Sequence, residues 1–370
     1  MIMDSSFAMK GGDGPTSYSQ NSSFQGSISD QAKALLVKGI QQNIVLPTDP
    51  NGTMHRTFRI ADLGCSVGPN TIACVQTIME AVKAKYKAEG IQLETLEFQV
   101  FFNDQVSSDF NTLFQTFLQD RSYTVAGVPG SFHGKLFPKA SMNVMHSSMA
   151  LHWLSEVPKE VKRPESPAWN KGKITYSESA PEVIEAFSTQ FQRDLEEFFR
   201  QRSLETVDNG LLIILMPCRP DGTRPSESLF IQGNECLLGH LLVDMAKEGL
   251  LDEALIDSFN LSVFVPTAAE VREVAAKIEC LSVEVVEKIC LPRSLGPVFQ
   301  NPGHLSRLMR AVTEDIIAKH FGPAASDLIY SRLPKKIEER SLESPPPPCL
   351  GNIERFENLF MLLRKNAVSN

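Results

Sequence analysis

The chain has 370 residues and a formal net charge of −8, and without a dense basic cluster it lacks the means to neutralise phosphates, which sets nucleic acid aside as a partner. Its longest apolar run, Leu211 to Met216, is far too short to span a bilayer. Its seven cysteines are scattered without CxxC spacing, which argues against a disulfide framework or a zinc knuckle.

The N-terminus is polar, and no continuous apolar stretch suggests a secretory signal, so a cytoplasmic protein with reduced thiols is expected. Residues 1–25 read as an irregular, Gly- and Ser-rich segment in which Tyr18, Phe24 and Gln25 could act as anchors. From Ile28 to about Val45 the apolar residues recur at helical steps. Phe58 to Leu63 reads as a buried strand, followed by a Gly-containing loop and a helix carrying Ile72, Val75, Ile78, Met79 and Val82 on one face. Glu97 to Phe102 predicts a second strand ending at Asn103-Asp104, Ser141 to Ser147 a third and Leu211 to Met216 a fourth. Residues 236–250, 268–278 and 305–340 read as helices. Ser344 to Pro348 reads as a stiff connector, and Phe356 to Leu363 as a final antiparallel strand.

Strands alternating with helices predict an α/β fold with a largely parallel sheet. The expected architecture is a single chain over 1–370, a Rossmann-like sheet with a helical cap over the carboxyl edge of the strands. The core falls mainly at 28–150, 185–217, 281–290 and 355–365, and the cap mainly at 151–184 and 218–345.

The stretch Asp62-Leu63-Gly64-Cys65-Ser66-Val67-Gly68-Pro69-Asn70 carries the most chemistry. Glycines between a strand and a helix let the backbone approach a ligand. The spacing is G-x-x-x-G, not the G-x-G-x-x-G that accommodates a pyrophosphate. A cofactor without phosphates, such as S-adenosylmethionine, suits it better. Asp104, ending the second strand, could accept ribose hydroxyls. The spacing alone also allows a plain turn, with Asp104 as a helix cap.

Several collinear segments extend this reading. They include Met9 to Gly12, Ser17 to Ser22, Phe101 to Asp104, Asp109 to Phe114, Gly127 to Phe132, Leu151 to Pro158, Asp257 to Leu261 and Met309 to Val312. With the Asp62 to Asn70 loop, they resemble the SABATH methyltransferases of plants, closest in flavour to the loganic acid and farnesoic acid carboxyl methyltransferases. The resemblance runs from Met9 to near the C-terminus. It implies transfer of a methyl group from S-adenosylmethionine to the carboxylate of a small organic acid. By it, Tyr18, Asn21 and Ser22 would close over the cofactor, and Asp62, Gly64 and Cys65 would border it. Asn70 would reach its methionine tail, Asp104 its ribose, and Gln105, Ser131 and Phe132 its adenine. Gln105 departs from the Leu common in the family.

For the acceptor, the resemblance points to Gln25 and Trp153, whose amide and indole N–H groups can both donate to a carboxylate. His152 stands where salicylate-type enzymes carry Met, consistent with a wider or more polar acceptor. Met149 and Met309 fit the pocket wall, although Met on an apolar face is ordinarily core. Asn170, Asp257, Phe259 and Asn260 correspond to a magnesium site in relatives; a capped loop without metal is the competing reading. A homodimer is also expected. A carboxylic acid arrives ionised at neutral pH, so no dedicated acid or base is expected. N-methylation of a purine-like heterocycle, a non-catalytic binding protein and a hydride-transfer enzyme remain the rival classes.

Overall fold

A computed structural model describes residues 8–46, 57–91, 93, 96–116, 122–224, 235–292, 301–341 and 355–367. Its centre is a seven-stranded sheet. In chain order the strands are β1 (Thr57–Leu63), β2 (Glu97–Asp104), β3 (Tyr123–Pro129), β4 (Met142–Ser148), β5 (Thr206–Pro217), β6 (Leu281–Pro292) and β7 (Arg355–Lys365). Their spatial order is β3-β2-β1-β4-β5-β7-β6. The first five pair in parallel, and β7 enters antiparallel between β5 and β6. The expected α/β sheet and the antiparallel last strand are both present. The order reverses between β1 and β4, and ligands of open α/β sheets bind at such a switch point.

Side-chain alternation explains the layers. On β5, Leu211, Ile213 and Leu215 enter one core while Leu212, Ile214 and Met216 enter the core on the opposite face, as a two-residue period requires. The helices α1 (Tyr18–Asn21), α2 (Ser23–Asn43) and α3 (Pro69–Ala88) are followed by the short α4 (Phe110–Gln115) and the long α5 (Pro181–Glu205). On α5, Val183, Phe187, Phe191, Leu195 and Phe198 form one buried stripe at three- and four-residue steps. α6 (Glu235–Lys247), α7 (Glu253–Ser258), α8 (Ala268–Ala276), α9 (Pro302–Phe321) and α10 (Pro323–Ser341) complete the described α-helices, and a 3-10 turn spans Lys159–Lys162. α8 begins in a capping box in which Thr267 and Glu270 satisfy each other's backbone N–H.

The structure corrects several boundaries. The N-terminal segment is not irregular up to residue 25: α1 starts at Tyr18, and α2 starts at Ser23 rather than Ile28. The buried stripe Phe24, Ile28, Ala32, Leu36 and Ile40 runs at steps of four from the first turn. The serines and Gly26 around Phe24 disguise it. The single helix expected over 305–340 is two helices, broken at Gly322 (φ 89°) and Pro323. β3 was not anticipated. None of its residues is fully buried, so this edge strand carries little apolar signal. The Pro-rich connector at 344–348 lies outside the described residues.

Candidate active site

The carboxyl ends of β1, β2, β3 and β4 converge on an open cavity whose envelope, solvent at its mouth included, is about 1380 Å³. Gly64, Ser66, Asp104, Gln105, Ser131, Phe132 and Met149 line it from those strand ends. Backbone conformation explains the glycines after β1. Gly64 sits at φ 75°, and a Cβ there would lie 2.5 Å from that of Ala150; at Gly68 (φ 117°) it would lie 2.9 Å from Ser19 Cα. Ser66 (φ 52°) and Met149 (φ 54°) are also left-handed, a cost of order 1–3 kcal/mol each that persists only where the surroundings fix it. Buried Asn103 supplies part of that framework. Its carbonyl accepts from Gly64 N–H (2.9 Å) and Cys65 N–H (3.0 Å), and its amide donates to Val128 O (2.7 Å) and Gly130 O (2.9 Å).

Asp104 is held by three donors. Ser66 N–H donates to Oδ2 (2.6 Å), while Gln105 N–H (2.7 Å) and Ser108 Oγ (2.6 Å) donate to Oδ1. Burial raises the carboxyl group above its ordinary range, and these donors offset only part of that rise. With about four acceptor directions on a carboxylate, Oδ2 keeps one for a ligand hydroxyl. An ion pair beneath the neighbouring loop fixes Ser131 and Phe132. Arg202, fully buried on α5, donates to Phe132 O (2.9 Å) and Gly134 O (2.7 Å). It pairs with buried Glu205 at 2.9 Å, which accepts from Leu136 N–H (2.7 Å) and Phe137 N–H (3.1 Å).

The other half of the cavity is built by α2, the turn after β4, α6 and α9. Gln25, Met149, His152, Trp153 and Met309 all line it, with an apolar wall of Met9, Phe24, Leu238, Leu308 and Val312. The His152-Trp153 turn is braced from outside: Phe264 N–H donates to His152 O (2.8 Å), Leu154 N–H to Ser262 O (2.7 Å), and Trp153 bridges Val263. Burial lowers His152 to about 3, so its imidazole is neutral at physiological pH. Gln25 Oε1 is buried without a hydrogen-bond partner among the described residues. The N-terminal strap closes this side. Lys10 N–H donates to Ala311 O (2.8 Å), Gly12 N–H to Asp109 Oδ2 (2.8 Å), and Lys10 Nζ pairs with Glu314 (2.5 Å).

A smaller cavity adjoins the first, sharing Tyr18, Gln25, Gly64, Ser148 and Met149 as walls. Asp62, Cys65 and Asn70 line it. Burial raises the Tyr18 phenol well above its ordinary range, so it stays a donor. The structure thus brings most of the expected ligand-facing residues into two joined spaces. Asn21 and Ser22 line neither. Asn21 donates to Pro15 O (2.9 Å) and Ser17 O (2.8 Å), and Ser22 accepts from Asn70 Nδ2 (2.9 Å to its carbonyl).

The residues expected around magnesium lie near one another but are bonded to protein partners. Asn170 Nδ2 donates to Asn260 Oδ1 (2.6 Å), its Oδ1 accepts from Ser179 Oγ (2.6 Å), and Asp257 Oδ1 accepts from Gly172 N–H (2.8 Å). Phe259 packs on His320 and Phe321. Among the fully buried side-chain atoms of the group, the unpartnered one is Asn260 Nδ2, a donor, whereas magnesium demands a near-octahedral set of oxygens. Oδ1 of Asn170, Asn260 and Asp257 each accepts from a protein donor, so these three side chains do not fit the ion as they stand. EDTA is therefore expected to leave the melting temperature and turnover unchanged. A fall in either that magnesium restores would contradict this.

Sequence reasoning missed the Arg202–Glu205 pair, and also His133, Ser155, Leu238 and Thr313, which line the larger cavity. Asp194, buried on α5, orients Ser155 by accepting from its N–H (2.8 Å) and hydroxyl (2.6 Å). These groups meet only through tertiary packing. The i,i+3 spacing of Arg202 and Glu205 on a strongly apolar helix face was the one available signal.

Residues 4–365 match the sequence model of the SAM dependent carboxyl methyltransferases. The chain is 40% identical over 335 residues to a loganic acid O-methyltransferase of Catharanthus roseus, covering 90% of this chain and 88% of that one. It is 37% identical to a farnesoic acid carboxyl-O-methyltransferase of Arabidopsis thaliana, covering 98% and 100%. A solved structure of loganic acid methyltransferase with SAH superposes with a TM-score of 0.86 at 37% identity, covering 97% of this chain and 99% of the other. With the switch-point cavity, the glycine loop and Asp104 already in place, these likenesses show that the chain belongs to the S-adenosylmethionine-dependent carboxyl methyltransferases.

Proposed function

We propose that this carboxyl methyltransferase esterifies a plant monocarboxylic acid with a largely apolar body. The observation that carries the acceptor class is the wall of Phe24, Leu238, Leu308, Met309 and Val312 beside the donors of Gln25 and Trp153, with no lysine or arginine among the described lining residues. The names of the loganic acid and farnesoic acid relatives support an acid of terpenoid size. N-methylation of a purine-like ring is disfavoured because identity to the relatives named for acids, 40% and 37%, exceeds the 33% to a caffeine synthase.

When bound, S-adenosylmethionine supplies an electrophilic methyl group on a sulfonium. In this reading Asp104 holds the ribose, Ser131 and Phe132 border the adenine, and Tyr18 covers the junction of the two cavities. Gln25 and Trp153 donate to the acceptor carboxylate and aim one oxygen at the methyl group. His152, uncharged, donates or accepts without neutralising the nucleophile. No side chain needs to remove a proton, because the acid is ionised above a pH of about 4. Rate enhancement then comes mainly from placement, worth roughly 7–11 kcal/mol for well-oriented pairs. Magnesium has no step in this scheme. The family resemblance also leads us to propose a homodimer and a cytoplasmic location. Among the described residues, no helix is long and apolar enough to cross a membrane.

Trp153→Phe keeps the aromatic bulk and removes the N–H. It and Gln25→Ala are each expected to lower kcat/KM about ten- to a hundredfold, the worth of one hydrogen bond to a buried anion of roughly 1.5–3 kcal/mol. The loss falls on kcat if these bonds set the attack angle and on KM if they only bind. Steady-state methyl transfer to the best acid of a panel measures it. Full activity in both variants would place the carboxylate elsewhere.

A further inference from the structure

The turn that carries His152 and Trp153 leans on an extended segment outside the seven strands. Leu154 N–H donates to Ser262 O (2.7 Å) and Phe264 N–H to His152 O (2.8 Å), so one bond lies on either side of Trp153. Neighbouring residues of extended backbone bond to opposite sides. Val265 accordingly gives both its backbone groups to side chains behind the segment. Its N–H donates to Tyr176 Oη (2.9 Å), and its carbonyl accepts from Arg219 Nη1 (2.7 Å).

Arg219 lies two residues beyond β5 and is buried. Its guanidinium forks onto Glu270 at 3.0 and 2.8 Å and lies 5.6 Å from the centre of the Phe264 ring. Glu270 Oε2 also accepts from Thr267 N–H (2.7 Å), so one carboxylate joins the start of α8 to the end of β5. Phe264 packs on Tyr176 and Phe191, with ring centres 4.9 and 5.2 Å away. A buried guanidinium needs a partner to offset its lost hydration, and the proposed reaction uses neither charge of this pair. Neither residue is among the described lining of either cavity. The cofactor half is braced separately, by Arg202 beneath Phe132 and Gly134.

We propose that Arg219 and Glu270 are positioning residues for methyl transfer: through Val265 and Phe264 they hold the Trp153 indole N–H at the angle from which it donates to the acceptor carboxylate. This rests on the acceptor reading above and extends it to a pair that touches neither ligand. Loss of the pair is then felt by the acid and not by the cofactor.

A double-mutant cycle in the full chain tests it. The readout is steady-state methyl transfer to the fastest acid of a panel of terpenoid, aromatic and aliphatic acids. Arg219→Met should lower kcat/KM for that acid about ten- to a hundredfold, the range for a small misplacement of a reacting group. The fall should lie mainly in kcat, with the calorimetric affinity for S-adenosylhomocysteine unchanged. In a Trp153→Phe background the same substitution should cost no more than about twofold, because the N–H that it misplaces is already gone. Glu270→Gln keeps an oxygen for Thr267 N–H. It should repeat the pattern with a smaller loss, and it carries the cycle if Arg219→Met does not fold. Equal losses in both backgrounds, or a parallel loss of S-adenosylhomocysteine affinity, would reduce the pair to a structural role. Unchanged kcat/KM in Arg219→Met would remove it from the reaction. Full activity in Trp153→Phe alone would instead overturn the acceptor reading, and this proposal with it.

Discussion

Replacing Arg202 with methionine is expected to lower the unfolding free energy by about 3–5 kcal/mol, the usual consequence of removing one partner of a buried ion pair. The side chain is fully buried, and burial pulls its guanidinium below its ordinary range despite the carboxylate of Glu205 beside it. Methionine fills much of the volume but leaves Glu205 buried with a charge that two backbone N–H groups alone must offset. It also strands the carbonyls of Phe132 and Gly134. Denaturant titration reads the loss as a lower midpoint at constant slope. The double variant Arg202→Met/Glu205→Gln should recover part of it, because the unpaired charge is gone. A midpoint unchanged in the single variant would mean that the loop from Ser131 to Phe137 is held by other contacts.

Asp104→Ala is expected to weaken S-adenosylhomocysteine by about a hundredfold, close to 3 kcal/mol, the upper range for a hydrogen bond to a charged group. Two effects act together. The variant removes the acceptor for ribose, and it releases Ser66 N–H, Gln105 N–H and Ser108 Oγ, which now point at the carboxylate. The left-handed Ser66 then loses the bond that fixes it. Calorimetry gives the affinity directly. An unchanged dissociation constant would remove Asp104 from the ribose site.

What the sequence made legible follows from how local each signal is. The β1 loop declared itself because its two glycines answer to backbone conformation and to Ala150 and Ser19 at close range. β5 showed as an unbroken apolar run because both its faces are buried. β3 stayed hidden as a sheet edge, and the start of α2 was masked by Ser23, Gly26 and Ser27 around a single buried Phe24. Residues with their own motif, Asp104 and the His152-Trp153 turn among them, could be placed by resemblance. Arg202, His133 and Asp194 could not. Their roles come from a helix packed under a loop, a relation of which the chain itself shows only the i,i+3 spacing of Arg202 and Glu205.

The most direct test of the central claim is the chemical nature of the product. The purified protein would be incubated with methyl-labelled S-adenosylmethionine and a panel of terpenoid, aromatic and aliphatic acids alongside xanthines. Mild base then hydrolyses esters and frees the label as methanol, whereas an N-methyl group survives. Carboxyl transfer predicts label on an acid, released completely by base and located on a carboxylate oxygen by NMR. Label that appears only on a xanthine nitrogen and resists base would contradict the account.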